Sequence, residues 1–596
     1  MKHFNVYSRR SFLDRSFKTS MAVALSTLTD IPFVMKRALA EGSIGLNGKK
    51  VLFIWLRFGN DGLNNIIPIE DSAYAGIRQN IGIPKDDIAT NTSHPNYNAA
   101  FYSQTGDCFD ASYYADVGGT LRGSNDDTFS YGRAIRTGNG FAALHPSLKF
   151  LAPVYNAGDL VMLHRVAYPK QSRSHFDSQN YWENGNPNNN LSKDGIFYRT
   201  IMESGLANTA PLTGISVQSA LPLLLRGSKA AMTNLTNPTR YDLLGVPTTG
   251  GDAKAFNAVN AANYYPFPEK RSRELLELQY LNMANTLRIF SAIDFSDNGN
   301  VFRDDDVTDR DQIWFDGTPA TGSPANKGYY LFPTSNAKNG GYQRPGGGTN
   351  TNKYVVPTNT YNNNGNGFFQ NLKAAALILN KTDAIIAGTE IGGFDTHQTQ
   401  GGATGTHANL LRSVGWAMYA LRKYFTLYHE KTTWENLVVV TLSEFGRTSV
   451  ENSDRGTDHA EAGVMYVAGG AVKGYGQGNA SGVFGCSPSD PQPWKPGPRT
   501  TNGNTCGTMF AAGFAEGAGT VNPVQAGYLR RAIDYRSVLG EIIRKHLGAQ
   551  FNPADPYAQS QLGRIIPGYL NSGERLLLGG QSSLDGVAIR GELGIL

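Results

Sequence analysis

Apolar residues in this chain come in short, solid runs that empty into polar turns. "KKVLFIWLRFGNDGLNN", residues 49–65, reads as a buried strand followed by a tight Gly/Asn turn. "HPSLKFLAPVYNAGDLVMLH", residues 145–164, reads as helix, turn and buried strand. "GFFQNLKAAALILNKTDAIIAGTEIGGFDTH", residues 367–397, repeats that order. "LLRSVGWAMYALRKYFTLYH" is an amphipathic helix, and "NLVVVTLSEFGRT" and "AGVMYVAGGAV" are further strands with polar exits. "YRSVLGEIIRKHLG" reads as a late helix packed on the core. Solid strands alternating with helices predict an α/β fold, with a mostly parallel central sheet sandwiched by helices.

Two stretches break this rhythm. Residues 88–140 contain a loop-rich insertion in the first part of the core, residues 41–235. Residues 236–365 read as a second insertion, helical at "ELLELQYLNMANTLRIFSAI" and then Asn/Gly-rich. The second part of the core and the C-terminal helices fall in 366–596.

The N-terminus reads as an address. "SRRSFLDRS" places Arg9 and Arg10 before Phe12 and Leu13, a weakly apolar stretch follows, and "ALA" at residues 38–40 fits a small-x-small cleavage site. The stretch resembles a twin-arginine signal over residues 1–40. Asp30 and Pro32 interrupt it, so it falls short of the roughly 20 apolar residues that span a membrane. The expectation is export by the twin-arginine translocase to the periplasm, the medium or the cell surface, with no integral membrane segment in the mature chain. The 596 residues carry a net charge of +5 with no dense Lys/Arg block after the N-terminus, so nucleic-acid binding has no support. With export in view, Cys486 and Cys506 are expected to pair, contributing about 3 kcal/mol, with Cys108 left free.

Candidate chemistry gathers at strand exits, where open α/β sheets bind ligands. Asn60 and Asp61 follow the first strand. Ser172, Arg173, Ser174 and His175 follow "DLVMLHRVAYP". Asp395 and His397 follow "AIIAGTEI", Glu444 and Arg447 follow "NLVVVTL", and Asp458 and His459 come soon after. Each has a plainer reading. Asp61 also suits a turn, "SHFD" from Ser174 to Asp177 fits a capping box, and Glu444 also suits a pair with Arg447. His145, His164 and His407 are set aside as core or surface histidines. The mixed carboxylate and imidazole set suits a divalent ion, Zn²⁺, Mn²⁺, Mg²⁺ or Ca²⁺, that polarises a phosphoryl or sulfuryl oxygen.

"FGNDGLNNIIP", "LHPSL", "SRSHFDSQNYWENG", "GGFDTHQTQ", "SEFGRT" and "GTDHA", in this order after the signal, resemble the bacterial domain-of-unknown-function family numbered 1501. That family is distantly similar to the alkaline phosphatase and sulfatase superfamily. The resemblance implies metal ligands on loops at strand ends. It implies Asp61, Asp395, His397 and His459 as ligands and Ser174 as nucleophile, with Ser172 the second choice. Glu444 becomes a ligand or base, Asp458 a further metal-site carboxylate, and Arg447 a clamp for the anion. Glu444–Phe445 stands where the superfamily carries an Asp–His pair, and no Cys-x-Pro-x-Arg motif is present. The expected function is an exported metal-dependent hydrolase acting on a small anionic ester, phosphate or sulfate. The alternative is a catalytically degenerate periplasmic or surface protein that binds a glycan or a protein.

Overall fold

The computed structural model describes residues 44–85, 134–168, 171–205, 212–236, 364–487, 532–551, 560–567 and 592–596, with gaps at 46, 229–231, 404 and 478–480, and short pieces between 286 and 343 and at 510–511 and 528–529. The signal, Cys108, Cys506 and most of both insertions lie outside the described residues. Among the described residues, no helix is long and apolar enough to cross a membrane.

A nine-stranded sheet organises the chain. Its strands are β1 (Lys50–Leu56), β2 (Leu160–Ala167), β3 (Gly214–Val217), β4 (Thr233–Leu235), β5 (Ile386–Ile391), β6 (Leu437–Leu442), β7 (Gly463–Ala468), β8 (Val483–Phe484) and β9 (Ile533–Asp534). They lie in the order β8-β2-β7-β6-β1-β5-β3-β4, with β9 also beside β2. The block β6-β1-β5-β3-β4 is parallel throughout. β7 is antiparallel to both its neighbours, β6 and β2. The sheet is therefore mixed, and the expected parallel arrangement holds only in part. Apolar runs reveal burial but not direction, so β7 carried no warning in its composition.

Helices cover both faces. Leu52, Ile54 and Leu56 of β1 enter one core with Phe369 and Leu372 of α3 (Asn364–Lys381) and Leu411 and Trp416 of α4 (Thr406–Leu427). Val51, Phe53 and Trp55 enter the other. There they meet Trp182 of α1 (His175–Asn184), Phe197 of α2 (Ile196–Glu203) and Val538 of α5 (Tyr535–Glu541). Alternate β1 side chains thus face two apolar layers, which is why the strand reads as one solid run. Trp182 stacks on Tyr535 with ring centroids 4.2 Å apart, and the Tyr535 hydroxyl donates to the Tyr181 carbonyl at 2.6 Å. These contacts fix α1, and with it the residues at its N-terminus.

The reversal of β7 has a consequence for the site. β1, β5 and β6 deliver their C-terminal loops to one edge of the sheet. β7, running the other way, starts at that edge, so His459 arrives just before its first residue. An isolated antiparallel bridge between Arg447 and His459 joins the two segments.

Cys486 is fully buried as a free thiol, and its expected partner Cys506 lies outside the described residues. It sits within the apolar core, and burial pushes its pKa up.

Candidate metal centre

Asp395 and His397 sit in the loop after β5, which is zipped to the loop 452–459. The Thr457 amide donates to the Thr396 carbonyl at 3.0 Å, and the Asn452 side chain donates to the His397 carbonyl at 2.8 Å. Gly456 permits this approach. A Cβ there would lie 2.2 Å from the His397 carbonyl carbon. Gly456→Ala is therefore expected to push the loops apart and weaken metal binding at least tenfold while the sheet's circular dichroism stays unchanged. Unchanged affinity in a metal titration would contradict this.

Three imidazoles converge on one carboxylate oxygen. Asp395 Oδ1 lies 3.1 Å from His397 Nε2, 3.2 Å from His459 Nε2 and 3.7 Å from His175 Nε2. His397 Nε2 and His459 Nε2 are 3.0 Å apart. The ligand-type atoms of His175, Asp395 and His459 all lie within 4.8 Å of one another.

The other ring nitrogen of each imidazole faces an oxygen acceptor. His175 Nδ1 meets Glu444 Oε1 at 2.8 Å, His397 Nδ1 meets Asp458 Oδ1 at 3.0 Å, and His459 Nδ1 meets the Arg173 carbonyl at 3.0 Å. Such partners place the proton on Nδ1 and leave a lone pair on Nε2. Three lone pairs then point at an anionic oxygen and, for His397 and His459, at each other. The Arg447 guanidinium offsets part of that repulsion, its Nη1 lying 3.4 Å from His397 Nε2 and its Nη2 donating to Asp395, and a metal ion would offset the rest. Donors about 2 Å from a tetrahedral ion lie roughly 3.3 Å apart, close to the 3.0–3.2 Å spacings among Asp395, His397 and His459, with His175 farther out at 3.7 Å from Asp395. His175 Nε2 has no hydrogen-bond partner, as expected of an atom reserved for a ligand.

Electrostatics agree with this assignment. Burial works against the Asp395 carboxylate, yet the hydrogen bond and charge of the Arg447 guanidinium hold its pKa below the ordinary value. Burial and Arg447 lower the pKa of His459, only partly offset by Asp395. An anionic Asp395 and a neutral His459 are the ligand forms of both groups.

Several expected residues take other roles. Asp61 does not join the cluster. It is fully buried and forms a two-oxygen ion pair with Arg78, and Gln400 donates to it at 2.6 Å. Arg78 holds its pKa down to about 2 against the opposing effect of burial. Its carboxylate is therefore committed to structure.

Arg447 is engaged inside the protein rather than displayed to solvent. It is buried, and it donates to the carbonyls of Phe58, Gly59, Phe394 and Thr457 and, at 2.5 Å, to Asp395. It fastens three strand-end loops and neutralises Asp395 from behind.

Glu444 is fully buried and uses Oε1 to accept from the Phe58 amide, Gln179 and the His175 ring. Oε1 thus orients the His175 ring, while Oε2 is buried with no hydrogen-bond partner among the described residues. Asp458, expected as a metal-site carboxylate, faces the His397 ring instead, Oδ1 to Nδ1 at 3.0 Å. Ser174 is the N-cap of α1, where its hydroxyl accepts from the Asp177 amide at 3.4 Å, and Ser172 Oγ accepts from the Ser174 amide at 3.2 Å. The capping reading of "SHFD" thus holds. His145, His164 and His407 are fully buried, and burial lowers the pKa of each.

His175 stands with the strand-exit residues in the sequence but carries no assigned role there, and it joins the cluster. Its signal was positional: the first helical residue after a strand-end cap lies at the sheet's ligand edge.

A family model described as "Protein of unknown function (DUF1501)" matches residues 351–485 and supports that family for this chain. The matched stretch holds Asp395, His397, Glu444, Arg447, Asp458 and His459, while His175 lies before it. Neither the curated proteins nor the solved structures contain a match.

Proposed function

We propose that this chain is a metal-dependent hydrolase of phosphate or sulfate esters, exported under the direction of the Arg9–Arg10 pair. The observation that carries the reading is the convergence of three oriented Nε2 atoms on Asp395 Oδ1. His175, Asp395, His397 and His459 would hold the ion. An imidazole-rich set suits Zn²⁺ or Mn²⁺ better than the harder Mg²⁺ or Ca²⁺. A bound ion of this kind supplies polarisation of an ester oxygen and an acidified water.

The chain's own residues prepare that chemistry. Glu444, Asp458 and the Arg173 carbonyl fix the imidazole tautomers. Arg447 keeps Asp395 anionic. Arg173, whose carbonyl meets His459, is exposed, and a positive charge in this loop would favour an anionic substrate. The Ser174 hydroxyl is engaged as a cap, so the proposed nucleophile is water rather than Ser174.

Protein purified without chelator is expected to hydrolyse p-nitrophenyl phosphate or p-nitrophenyl sulfate in the presence of Zn²⁺ or Mn²⁺. His459→Ala is expected to abolish that turnover. A metal-loaded chain that turns over neither class of ester would refute the hydrolase and favour the degenerate, glycan- or protein-binding alternative.

A further inference from the structure

Phe58 has a φ of 80°, the left-handed region in which a bulky residue is an outlier. Its peptide groups are held there from both sides. The Phe58 amide donates to Glu444 Oε1 at 2.8 Å, and its carbonyl accepts from Arg447 at 2.5 Å. The same two side chains orient His175 and Asp395. The strained turn presents an aromatic ring that is 42% exposed and meets the His175 ring edge-on, with centroids 5.5 Å apart. The opposite side offers little restraint, since the ring lies over Gly392, where even a Cβ would be 3.4 Å away. Phe176, next to His175 in the chain, is 83% exposed. A strained, exposed aromatic beside a candidate ligand calls for a use, because packing alone is served by burial.

We infer that Phe58 determines specificity by forming an apolar wall of the metal site, and that the ester's organic half presents a flat ring to it. This rests on the proposed reading of the centre as a hydrolytic metal site. A ring laid on Phe58 would gain a stacking contact that an acyclic alcohol lacks.

The test compares binding of phenyl phosphate, phenyl sulfate and glycerol phosphate to Zn²⁺-loaded protein by calorimetry. The parent is expected to bind the better phenyl ester about fivefold or more tighter than glycerol phosphate. Phe58→Ala and Phe58→Leu should erase that preference, leaving glycerol phosphate and Zn²⁺ affinities unchanged, and Phe58→Tyr should restore it. Phe58→Gly should melt about 1–2 °C above Phe58→Ala, because glycine tolerates the positive φ.

A preference that survives in Phe58→Ala, or is absent from the parent, overturns the inference alone. So does a fall in Zn²⁺ affinity in Phe58→Ala, which would make the ring a support for His175. Failure of the parent to bind metal overturns the reading of the site, and this inference with it.

Discussion

Asp61→Ala is expected to destabilise the fold by about 3–5 kcal/mol, the usual cost of leaving one member of a buried ion pair uncompensated. The abandoned partner is Arg78, whose side chain is fully buried. Arg78 also donates to the Ser449 and Thr448 carbonyls, so the strain would reach the loop beyond β6. Replacing both charges, as in Asp61→Leu with Arg78→Met, should recover much of the loss, because no buried charge then stands alone. Thermal and urea melts of the single and double variants measure this. A single variant as stable as the parent would refute it.

The pH dependence of this pair has a definite sign. Asp61 has a folded-state pKa of about 2, below its ordinary 3.8. Its stabilising contribution is full above the ordinary value and is lost as pH falls from there through about 2. The difference in stability between parent and Asp61→Asn should therefore shrink in that acid window and stay flat above it.

Removal of a ligand should have the larger functional effect. His459→Ala or Asp395→Ala is expected to lower metal affinity at least a hundredfold with the sheet intact, since both side chains sit at the rim of the fold. Glu444→Gln should lower it about 10- to 100-fold by releasing His175, the usual range for a partner behind a ligand. Acid should release the ion by protonating His459. For His459 this requires pH below the ordinary 6.5, because burial and Arg447 disfavour its charged form. Calorimetric titration of each variant checks the series, and parent-like affinity in His459→Ala would contradict it.

Much of this was legible in the sequence because burial writes itself as apolar runs. The solid runs at β1, β5 and β6 identified strands covered on both faces, and their polar exits identified the edge that carries the site. Asp395, His397 and His459 followed from that logic. Three things were not legible, each for a physical reason. An apolar run has no arrow, so the reversal of β7 that brings His459 to the edge was hidden. A carboxylate at a strand exit reads the same whether it faces a ligand or a buried cation. Only the fold places Arg78, 17 residues along the chain, against Asp61. Finally, the capping box "SHFD" was correct as local structure, and that sufficient local account masked His175. Arg447 and Glu444 share that edge, and the sequence does not show that both side chains are buried against Asp395 and His175.

The most direct measurement is elemental analysis combined with X-ray absorption on the protein purified without chelator. The account predicts one Zn²⁺ or Mn²⁺ per chain, in a shell of nitrogen and oxygen near 2 Å with the scattering signature of three imidazoles. A chain without a stoichiometric ion that also fails to take one up on titration, or an ion whose shell lacks imidazole, would contradict it.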